Sequence, residues 1–505
     1  MLMVDGFYHK TKMGPTKILP IASILGYWAN IKPNLTALSH EGESMTWSDF
    51  EKETNRLARA YDSFGVQENS FMVVGLPNGF EFFLACFAAW KLGATPLPIS
   101  SRLPKFERDQ ILNLSKPALI HGFDDDYSKE PWCHLKPKYE KLSPFKDDPL
   151  KIKIADSWKA MTSGGSTGRP KIIVSKDPAE HDIFSRDFLK FGGSVLIPGP
   201  LYHNGPFLWA MHALFQGNQV TITTKFDATE TLSLIDQNNV DTVYMVPTMM
   251  HRVWNLDPKV KSTFSLKSLK TLWHLASPCP VWLKHKYIEW FGPDAIWELY
   301  GGTEGIGFTT ISGTNWLLHE GSVGKAGEDF RIKILDEKEN EVPEMQIGEV
   351  YLKRDDGVGT TYYYIGAEAK RTENGWESYG DMGYLDKDGY LYLTDRKTDM
   401  ILSGGSNIYP AEVEAAIDTF PNVRSSAVIG LPDDDLGNII HAIVDTNNHP
   451  ITKDKLLEHL SNRLVRYKIP RSIEFVNEPI RDEAGKVRRS ALREERILSK
   501  NKNSN

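Results

Sequence analysis

A strand–turn–helix–strand pattern near the start of the chain constrains the fold more than any other feature. Residues 70–76 form a continuous apolar run that ends at Pro77-Asn78-Gly79, which predicts a buried strand followed by a turn. Residues 80–92 have a helical pattern, and residues 93–98 predict a second strand. This is a βαβ unit, in which two parallel strands are covered by a helix. The alternation recurs over residues 195–246, so we predict an α/β protein with mostly parallel sheets.

The pattern changes after about residue 320. Short strand-like segments at 331–335, 348–352 and 390–393 are separated by Gly, Asp and Asn, which predicts antiparallel β structure. The chain has 505 residues, and a single hydrophobic core rarely grows beyond about 250–300 residues. We therefore predict a large N-terminal domain over 1–397, made of two mostly parallel sheets with helices plus a small β-barrel-like part. A small α+β C-terminal domain is predicted over 398–505.

Charge and cysteine content exclude some classes of protein. The net charge of −7 argues against a general nucleic-acid-binding protein. Cys86, Cys133 and Cys279 are far apart and odd in number, so neither a disulfide framework nor a Cys-x-x-Cys metal site is expected. The first residues lack the apolar core of a signal peptide, and the apolar run at 82–92 is too short to span a membrane. We expect a cytoplasmic protein without a membrane span.

A glycine- and hydroxyl-rich loop is the strongest local signal for chemistry. Residues 161–171 read MTSGGSTGRPK. Glycines let backbone N–H groups converge on an anion, and hydroxyl groups add donors. The segment is not a Walker A loop, because no Gly-Lys-Ser/Thr opens a helix. The pattern favours a phosphate site over a flexible turn, with candidate residues Thr162, Ser163, Gly164, Gly165, Ser166, Thr167, Gly168 and Lys171.

A second cluster, at 300–304, places an aromatic ring, a hydroxyl group and a carboxylate side by side. Tyr300 can stack on a base, Thr303 can bind a phosphate oxygen and Glu304 can hold Mg²⁺. Taken alone, such a string is more often a turn.

Three charged positions follow further along the chain. Asp381 suits a ribose diol, because a carboxylate accepts two hydroxyl hydrogen bonds. Arg396 follows Asp395. Taken alone, it would be interpreted as one partner of a surface ion pair. Lys486 lies in the basic segment 485–489. Taken alone, such a segment usually lies on a solvent-exposed surface.

The order of these segments resembles one family. The loop near 165, the aromatic-Gly-Gly-Thr-Glu string, Asp381, Asp395-Arg396, Ser-Gly-Gly at 403–405 and Gly485-Lys486 follow the layout of the adenylate-forming superfamily. That superfamily contains acyl- and aryl-CoA synthetases, peptide-synthetase adenylation domains and firefly luciferase. The resemblance covers nearly the whole chain. It implies activation of a carboxylic acid with ATP and Mg²⁺ to an acyl-adenylate, then transfer of the acyl group to coenzyme A.

The resemblance also implies roles for single residues. The loop 162–171 would close over the β- and γ-phosphates of ATP. Tyr300 would lie beside adenine, Thr303 would bind the α-phosphate, Glu304 would hold Mg²⁺, and Asp381 would bind the ribose with help from Arg396. Lys486 would bridge the carboxylate and the α-phosphate, since a cation between two repelling anions lowers the barrier and positions them.

The acyl and CoA residues are also implied by the resemblance. His203 would gate the acyl pocket, to which the resemblance also assigns Met245, Ser277, Gly301 and Gly302. Gly404, Gly405 and Lys468 would contact CoA, and Thr398 would be the pivot of the C-terminal domain. Two positions depart from the family: many relatives have Asp or Lys at the pivot, and Leu275-Ala276-Ser277-Pro278 replaces a common Gly-Gly-Ala-Pro.

Within the superfamily, residues 199–203 and 243–250 look similar to bacterial bile-acid and steroid CoA ligases, and aryl and fatty acyl ligases remain close. The leading hypothesis is an acid–CoA ligase whose partners are a small carboxylic acid and coenzyme A, in a monomer or homodimer. The alternatives are a free-standing adenylation enzyme that loads a carrier-protein thiol, a catalytically silent nucleotide-binding protein, and luciferase-like oxidation. No aspartate near 245–248 suits an amino-acid substrate, which disfavours amino-acid loading.

Overall fold

The protein is described by a computed structural model. It covers residues 16–125, 127, 132–138, 144–163, 170–185, 188–189, 191–327, 329–355, 359, 361–396, 398–403, 406–433, 436–482 and 485–502. Among these residues, no helix combines the length and the apolar character that a membrane crossing requires.

The strands and helices are numbered in chain order. The strands are β1 (Ile18–Pro20), β2 (Thr36–His40), β3 (Glu43–Thr46), β4 (Phe71–Gly75), β5 (Thr95–Pro98), β6 (Leu119–Gly122), β7 (Cys133–Leu135), β8 (Ala160–Ser163), β9 (Lys171–Ser175), β10 (Glu180–Asp182), β11 (Ser194–Ile197), β12 (Gln219–Ile222), β13 (Thr242–Met245), β14 (Thr271–His274), β15 (Ile296–Gly301), β16 (Phe308–Ser312), β17 (Lys325–Ala326), β18 (Phe330–Leu335), β19 (Gly348–Arg354), β20 (Tyr362–Ile365), β21 (Asp381–Leu385), β22 (Leu391–Arg396), β23 (Ile401–Ser403), β24 (Ser406–Ile408), β25 (Ser425–Asp433), β26 (Gly437–Asp445) and β27 (Ser472–Val476). The helices are α1 (Ile21–Ile31), α2 (Trp47–Ser63), α3 (Phe80–Lys91), α4 (Lys105–Ser115), α5 (Asn204–Phe215), α6 (Ala228–Gln237), α7 (Pro247–Trp254), α8 (Pro258–Lys261), α9 (Val281–Phe291), α10 (Gly313–Trp316), α11 (Pro410–Ile417), α12 (Lys453–Ser461) and α13 (Arg489–Lys502).

Two mostly parallel sheets form the N-terminal part of the fold. The larger has the strand order β17-β16-β15-β14-β13-β11-β12-β2-β3, and its strands from β15 to β2 are parallel. The smaller has the order β5-β4-β6-β7 and is parallel throughout. These sheets confirm the predicted α/β class and the βαβ unit β4–α3–β5.

Helices α2 and α3 show why the sequence forms this layer. Thr46 Oγ1 accepts a hydrogen bond from the Asp49 backbone N–H at 3.1 Å, which caps the start of α2 as its sequence predicts. Helix α3 is apolar on nearly every side, and a helix of that composition is stable only when it is buried. Phe82, Phe87 and Trp90 of α3 are fully buried in one core that includes residues of both sheets.

Antiparallel sheets follow the parallel ones, as predicted for the region after residue 320. Strands β18, β19, β21 and β22 form one such sheet, and β20, β9 and β8 form another, in which β9 lies between the other two. Ile173, Val350, Leu352 and Leu391 lie in a core shared by these sheets. The pairing brings β9, the strand that follows the loop 164–169, next to Tyr364 of β20.

The C-terminal part has a core of its own. Strands β25, β26 and β27 form a sheet, and Val413 of α11 and Leu456 of α12 pack in the same core. Helix α12 ends at Ser461. Asn462 Nδ2 donates to the Glu458 carbonyl at 3.1 Å, the kind of local side-chain bond that competes with helix continuation. The boundary at residue 397 and the mobility of this part stay predictions.

Candidate active site

A cavity of about 2310 Å³ lies at the carboxyl ends of four neighbouring parallel strands, β11, β13, β14 and β15. Its walls include residues 202–204, 246–249, 275–279 and 301–304, which follow those strands. Residues 485–489 of the C-terminal part line the same cavity. Open α/β sheets bind their ligands at this edge, because the loops that follow the strands converge there.

Tyr300 and Asp381 form one polar corner of the cavity. The Tyr300 hydroxyl donates to Asp381 Oδ2 at 2.7 Å, which joins two segments that the sequence predicted separately for the nucleoside. Tyr379 stands edge-on to Tyr300, with ring centroids 6.1 Å apart. A Cβ at Gly302 would lie 2.3 Å from the Tyr379 ring, so only glycine fits beneath that aromatic wall.

Glu304 and Lys171 form a second corner, together with a residue that the sequence analysis missed. Lys171 Nζ lies 3.6 Å from Glu304 Oε1 and 4.0 Å from the centroid of the Tyr364 ring. The Tyr364 hydroxyl donates to Glu304 Oε1 at 2.6 Å. Burial and the nearby Glu304 raise the pKa of Tyr364, so its hydroxyl keeps the proton that it donates. Thr303 and Thr162 line the cavity beside this corner.

The contacts of the Glu304 carboxylate leave one of its two oxygens available for a magnesium ion. Its Oε1 is held by Tyr364, while Oε2 has no hydrogen-bond partner among the described residues. A carboxylate oxygen that faces a polar cavity is the ligand that Mg²⁺ prefers.

The turn that carries Lys486 enters the cavity from the C-terminal part. The Gly485 backbone N–H donates to the Asp482 carbonyl at 2.9 Å, and the Lys486 backbone N–H donates to Asp482 Oδ1 at 2.9 Å. Gly485 has φ +76°, and a Cβ there would lie 3.1 Å from Thr248 Oγ1 and 3.6 Å from Ser277 Oγ. Glycine is therefore needed for both the turn and the close approach. The turn places the chain at Lys486 against the loops that follow β13 and β14.

His203 lies at the start of α5 and faces the same cavity. Burial, with Lys486 nearby, lowers the pKa of His203 to about 4, so the imidazole is neutral at neutral pH. Its Nε2 is buried and has no hydrogen-bond partner among the described residues. A neutral imidazole with an open nitrogen beside Lys486 suits a gate next to a carboxyl group.

The predicted acyl residues divide between the cavity and the core. Ser277, Gly301 and Gly302 line the cavity, as predicted. Met245 does not: it is buried in the core, and its neighbours Tyr244 and Val246 line the cavity instead. Successive side chains of a strand point to opposite faces, so one position decides which residue faces the ligand.

Of the predicted CoA and pivot residues, Lys468 and Thr398 line the cavity on the side of the C-terminal part. Lys468 Nζ contacts both carboxylate oxygens of Glu412, at 2.7 and 2.6 Å. Thr398 lines the cavity next to Asp399, which accepts a hydrogen bond from Arg489 at 2.8 Å.

Several predicted residues cannot be placed. Gly164, Gly165, Ser166, Thr167 and Gly168 of the loop, and Gly404 and Gly405, lie outside the described residues. Ser163 and Arg396 are described by their backbone, which pairs with Lys171 and Asp381, while their side chains lie outside the described part.

Comparisons with known proteins agree with this geometry. The pattern of the AMP-binding enzyme family matches residues 25–363, and that of the AMP-binding enzyme C-terminal domain matches residues 412–486. The chain is 28% identical to a long-chain-fatty-acid–CoA ligase of Mycobacterium tuberculosis, over 92% of this chain and 96% of the relative. It is 29% identical to a feruloyl-CoA synthase of Amycolatopsis, over 93% of this chain and 98% of the relative.

The fold is similar to solved structures as well. An o-succinylbenzoate CoA synthetase from Bacillus subtilis, in complex with its acyl-adenylate intermediate, superimposes with a TM-score of 0.81. The two chains are 24% identical, and the match covers 94% of this chain and 98% of the other.

Proposed function

Since the chain belongs to the AMP-binding enzyme family, we propose that it is an AMP-forming acid–CoA ligase. In the first step an oxygen of the carboxylate attacks the α-phosphorus of ATP, and the bond to pyrophosphate breaks. In the second step the CoA thiol, having lost its proton, attacks the acyl carbon and AMP leaves. Full-length relatives that carry out acid–CoA ligation support this proposal.

The observation that carries the proposal is the position of Gly485 and Lys486. Their turn packs against Thr248 and Ser277, inside the cavity that also holds Tyr300, Thr303 and Glu304. Carboxylate and α-phosphate repel each other, so an ammonium group between them stabilises the transition state. The removal of one such interaction commonly lowers the rate by roughly 10²–10³.

The remaining residues position the nucleotide. Asp381 would accept the ribose hydroxyls, the Tyr300 ring would lie beside the base, and Thr303 would donate to the α-phosphate. Glu304 would hold Mg²⁺, which offsets the negative charge of the phosphates when it is bound. Tyr364 fixes the Glu304 carboxylate through the hydrogen bond from its hydroxyl.

His203, Ser277, Gly301 and Gly302 would border the carboxyl end of the acid, with Lys468 and the segment 403–405 toward CoA. The cytoplasmic location and the choice between monomer and homodimer stay predictions.

The proposal is tested by AMP release with ATP and Mg²⁺ across fatty, aryl, steroid and amino acids, each with and without CoA. We expect catalytic AMP release only when CoA and one class of acid are both present. Loading of a carrier-protein thiol without CoA-dependent AMP release would instead identify a carrier-loading enzyme. A complete lack of acid-dependent AMP release and pyrophosphate exchange would contradict adenylation itself.

A further inference from the structure

Three basic side chains line the cavity beside α5. Lys159, just before β8, His181 of β10 and His212 of α5 all line it. We call these three residues the basic pocket. None of them belongs to the segments that the family resemblance assigned.

Lys159 is the central residue of the basic pocket. Its side chain is buried, and its Nζ donates a hydrogen bond to Asn204 Oδ1 and lies 4.8 Å from the centroid of the Trp158 ring. Among the described residues, no carboxylate lies within ion-pair distance of Lys159 Nζ. A lysine ammonium group can donate three hydrogen bonds, and Asn204 accepts one. Buried cations are normally paired, so Lys159 has donor capacity that a ligand can use.

The two histidines add polar atoms that have no partner. The His181 and His212 rings lie 4.7 Å apart, and His181 Nε2 and His212 Nδ1 are buried without a hydrogen-bond partner among the described residues. Burial lowers the pKa of His181 to about 4 and that of His212 well below its usual value, so both rings are neutral at neutral pH. Buried polar atoms are rarely left unpaired in folded proteins, and a site that binds a polar ligand is one reason for such an exception.

The position of the basic pocket relates it to the acid. Asn204 and His212 are both on α5, whose first residues adjoin the gate His203. Eight residues of α-helix span about 12 Å, so His212 is several carbon–carbon bonds further from the gate than Asn204 is. The Trp158 and Phe215 rings lie 5.8 and 6.0 Å from the His212 ring, so the surroundings of His212 are largely apolar. A ligand that extends from His203 along α5 would meet Lys159 beside Asn204 and then the two histidines.

We propose that the basic pocket binds an oxygen of the carboxylic acid that is remote from its reacting carboxyl group. The substrate is therefore an acid with a second oxygen function, a hydroxyl, a keto group or a second carboxylate, rather than a plain hydrocarbon acid. This inference rests on the proposed ligase function and names the substrate class for that site. Because Lys159 would donate a hydrogen bond to this second oxygen, it would determine the preference for oxygenated acids over plain ones.

The wild-type protein tests the inference with matched acids. A plain acid that the protein activates, such as decanoic acid, is compared with its ω-hydroxy, ω-keto and dicarboxylic analogues, and kcat/KM is measured for each with CoA. We expect at least one oxygenated analogue to exceed the plain acid by roughly tenfold or more, the effect of a hydrogen bond to a charged group. Comparison of the ω-hydroxy acid with the dicarboxylic acid shows whether the basic pocket prefers a neutral or an anionic oxygen. Equal or faster turnover of every plain acid would overturn the inference while leaving the ligase function intact.

Variants then test whether the basic pocket is responsible. In Lys159→Met and in His212→Phe, the ratio of kcat/KM for the oxygenated acid to that for the plain acid should fall about tenfold. Because the ratio compares two substrates on one variant, partial loss of folded protein does not change it. Lys267→Met, at an exposed lysine outside the cavity, is the matched control and should keep the wild-type ratio. An unchanged ratio in both pocket variants would refute the assignment.

Discussion

At the scale of single residues, Tyr364 holds the carboxylate that is proposed to bind Mg²⁺. Tyr364→Phe removes the hydrogen bond to Glu304 Oε1 but keeps the ring beneath Lys171. A hydrogen bond to a charged group is worth about 1.5–3 kcal/mol, so we expect kcat/KM for MgATP to fall about tenfold or more. Steady-state kinetics with varied MgATP measure the effect.

Tyr363→Phe is the matched control, because the neighbouring Tyr363 side chain is 42% exposed. It should behave as the wild type. An equal loss of activity in the two variants would mean that Tyr364 acts through the general stability of β20 and not through Glu304.

The sequence predicted residues in short motifs better than residues brought in from distant strands. Tyr300, Thr303, Glu304 and Lys486 all line the cavity, and the order of their motifs along the chain predicted them where each motif alone did not. Tyr364 has no such string around it, and only its pairing with Ile173 across β20 and β9 brings it to Glu304.

Two other residues show how much side-chain direction matters. Met245 lies in the core one position from the cavity-lining Tyr244, and both are apolar residues of a strand buried on both faces, so the sequence pattern does not show which of them faces the cavity. Lys159 carried a usable signal, since a lysine among the apolar residues 158–161 is unusual in a buried strand.

At the scale of elements, the turn at Gly485 is expected to control the first step. Gly485→Ala places a Cβ at φ +76° and against Thr248 Oγ1, which should displace Lys486 and slow acyl-AMP formation about tenfold or more. Gly389→Ala is the control, because Gly389 has φ +79° with nothing within 4 Å of the added Cβ. Both variants carry about 1–2 kcal/mol of backbone strain. If pyrophosphate exchange falls equally in the two, the contact with Thr248 has no part in catalysis.

Glu414 of α11 anchors both ends of the segment that carries this turn. It accepts hydrogen bonds from Arg481 at 2.9 Å and from Arg489 at 2.8 and 2.9 Å. Glu414→Gln removes the anion that faces the partly buried Arg481 guanidinium group, while Arg489 keeps its contact with Asp399. We therefore expect the C-terminal part to lose about 1.5–3 kcal/mol, the effect of hydrogen bonds to a charged group. Hydrogen exchange of the β25 and β26 amides at neutral pH measures the loss. Protection equal to that of the wild type would contradict this role.

Because of these contacts, the contribution of Glu414 to the stability of the C-terminal part depends on pH. The Arg489 and Arg481 guanidinium groups lower the pKa of Glu414 despite its burial. Its stabilising contribution is therefore complete above the unfolded pKa of about 4.3 and is lost as the pH falls from there toward the folded pKa. The wild type should lose protection in β25 and β26 below about pH 4, whereas Glu414→Gln should show a smaller decrease over that range. Parallel profiles for the two proteins would exclude this ion pair as the cause.

Element boundaries were predicted well where local signals were strong. Thr46 fixed the start of α2, and the buried β4, α3 and β5 follow the apolar pattern closely. Local signals are weak at the start of α5, which begins at Asn204, because Asn204, Gly205 and Pro206 all have low helix propensity.

At the scale of the whole molecule, the two parts have separate cores and meet at the cavity. The family resemblance implies that the C-terminal part rotates between the two steps. Lys486 lines the cavity, which is the position that the resemblance implies for acyl-AMP formation. Arg488 Nη1 lies 3.6 Å from Glu107 Oε1 across the two parts, and both side chains are well exposed. Cysteines at these two positions can therefore be joined by a short bis-maleimide, with exposed Cys133 first replaced by serine.

We expect the cross-linked protein to form acyl-AMP but to transfer the acyl group to CoA at least tenfold more slowly, because the C-terminal part is held in place. The uncross-linked double variant should carry out both steps. Rapid thioester formation in the cross-linked protein would show that no rotation is needed.

The central claim is that Lys486 drives acyl-AMP formation, and the two half-reactions of Lys486→Ala test it most directly. Acyl-AMP formation is followed by pyrophosphate exchange, and thioester formation is started from supplied acyl-AMP and CoA. Arg488→Ala, on the same turn, is the control for loss of charge. We expect a loss of roughly 10²-fold or more in the first half-reaction of Lys486→Ala alone, with the second near the wild-type rate. Equal losses in both half-reactions would contradict it.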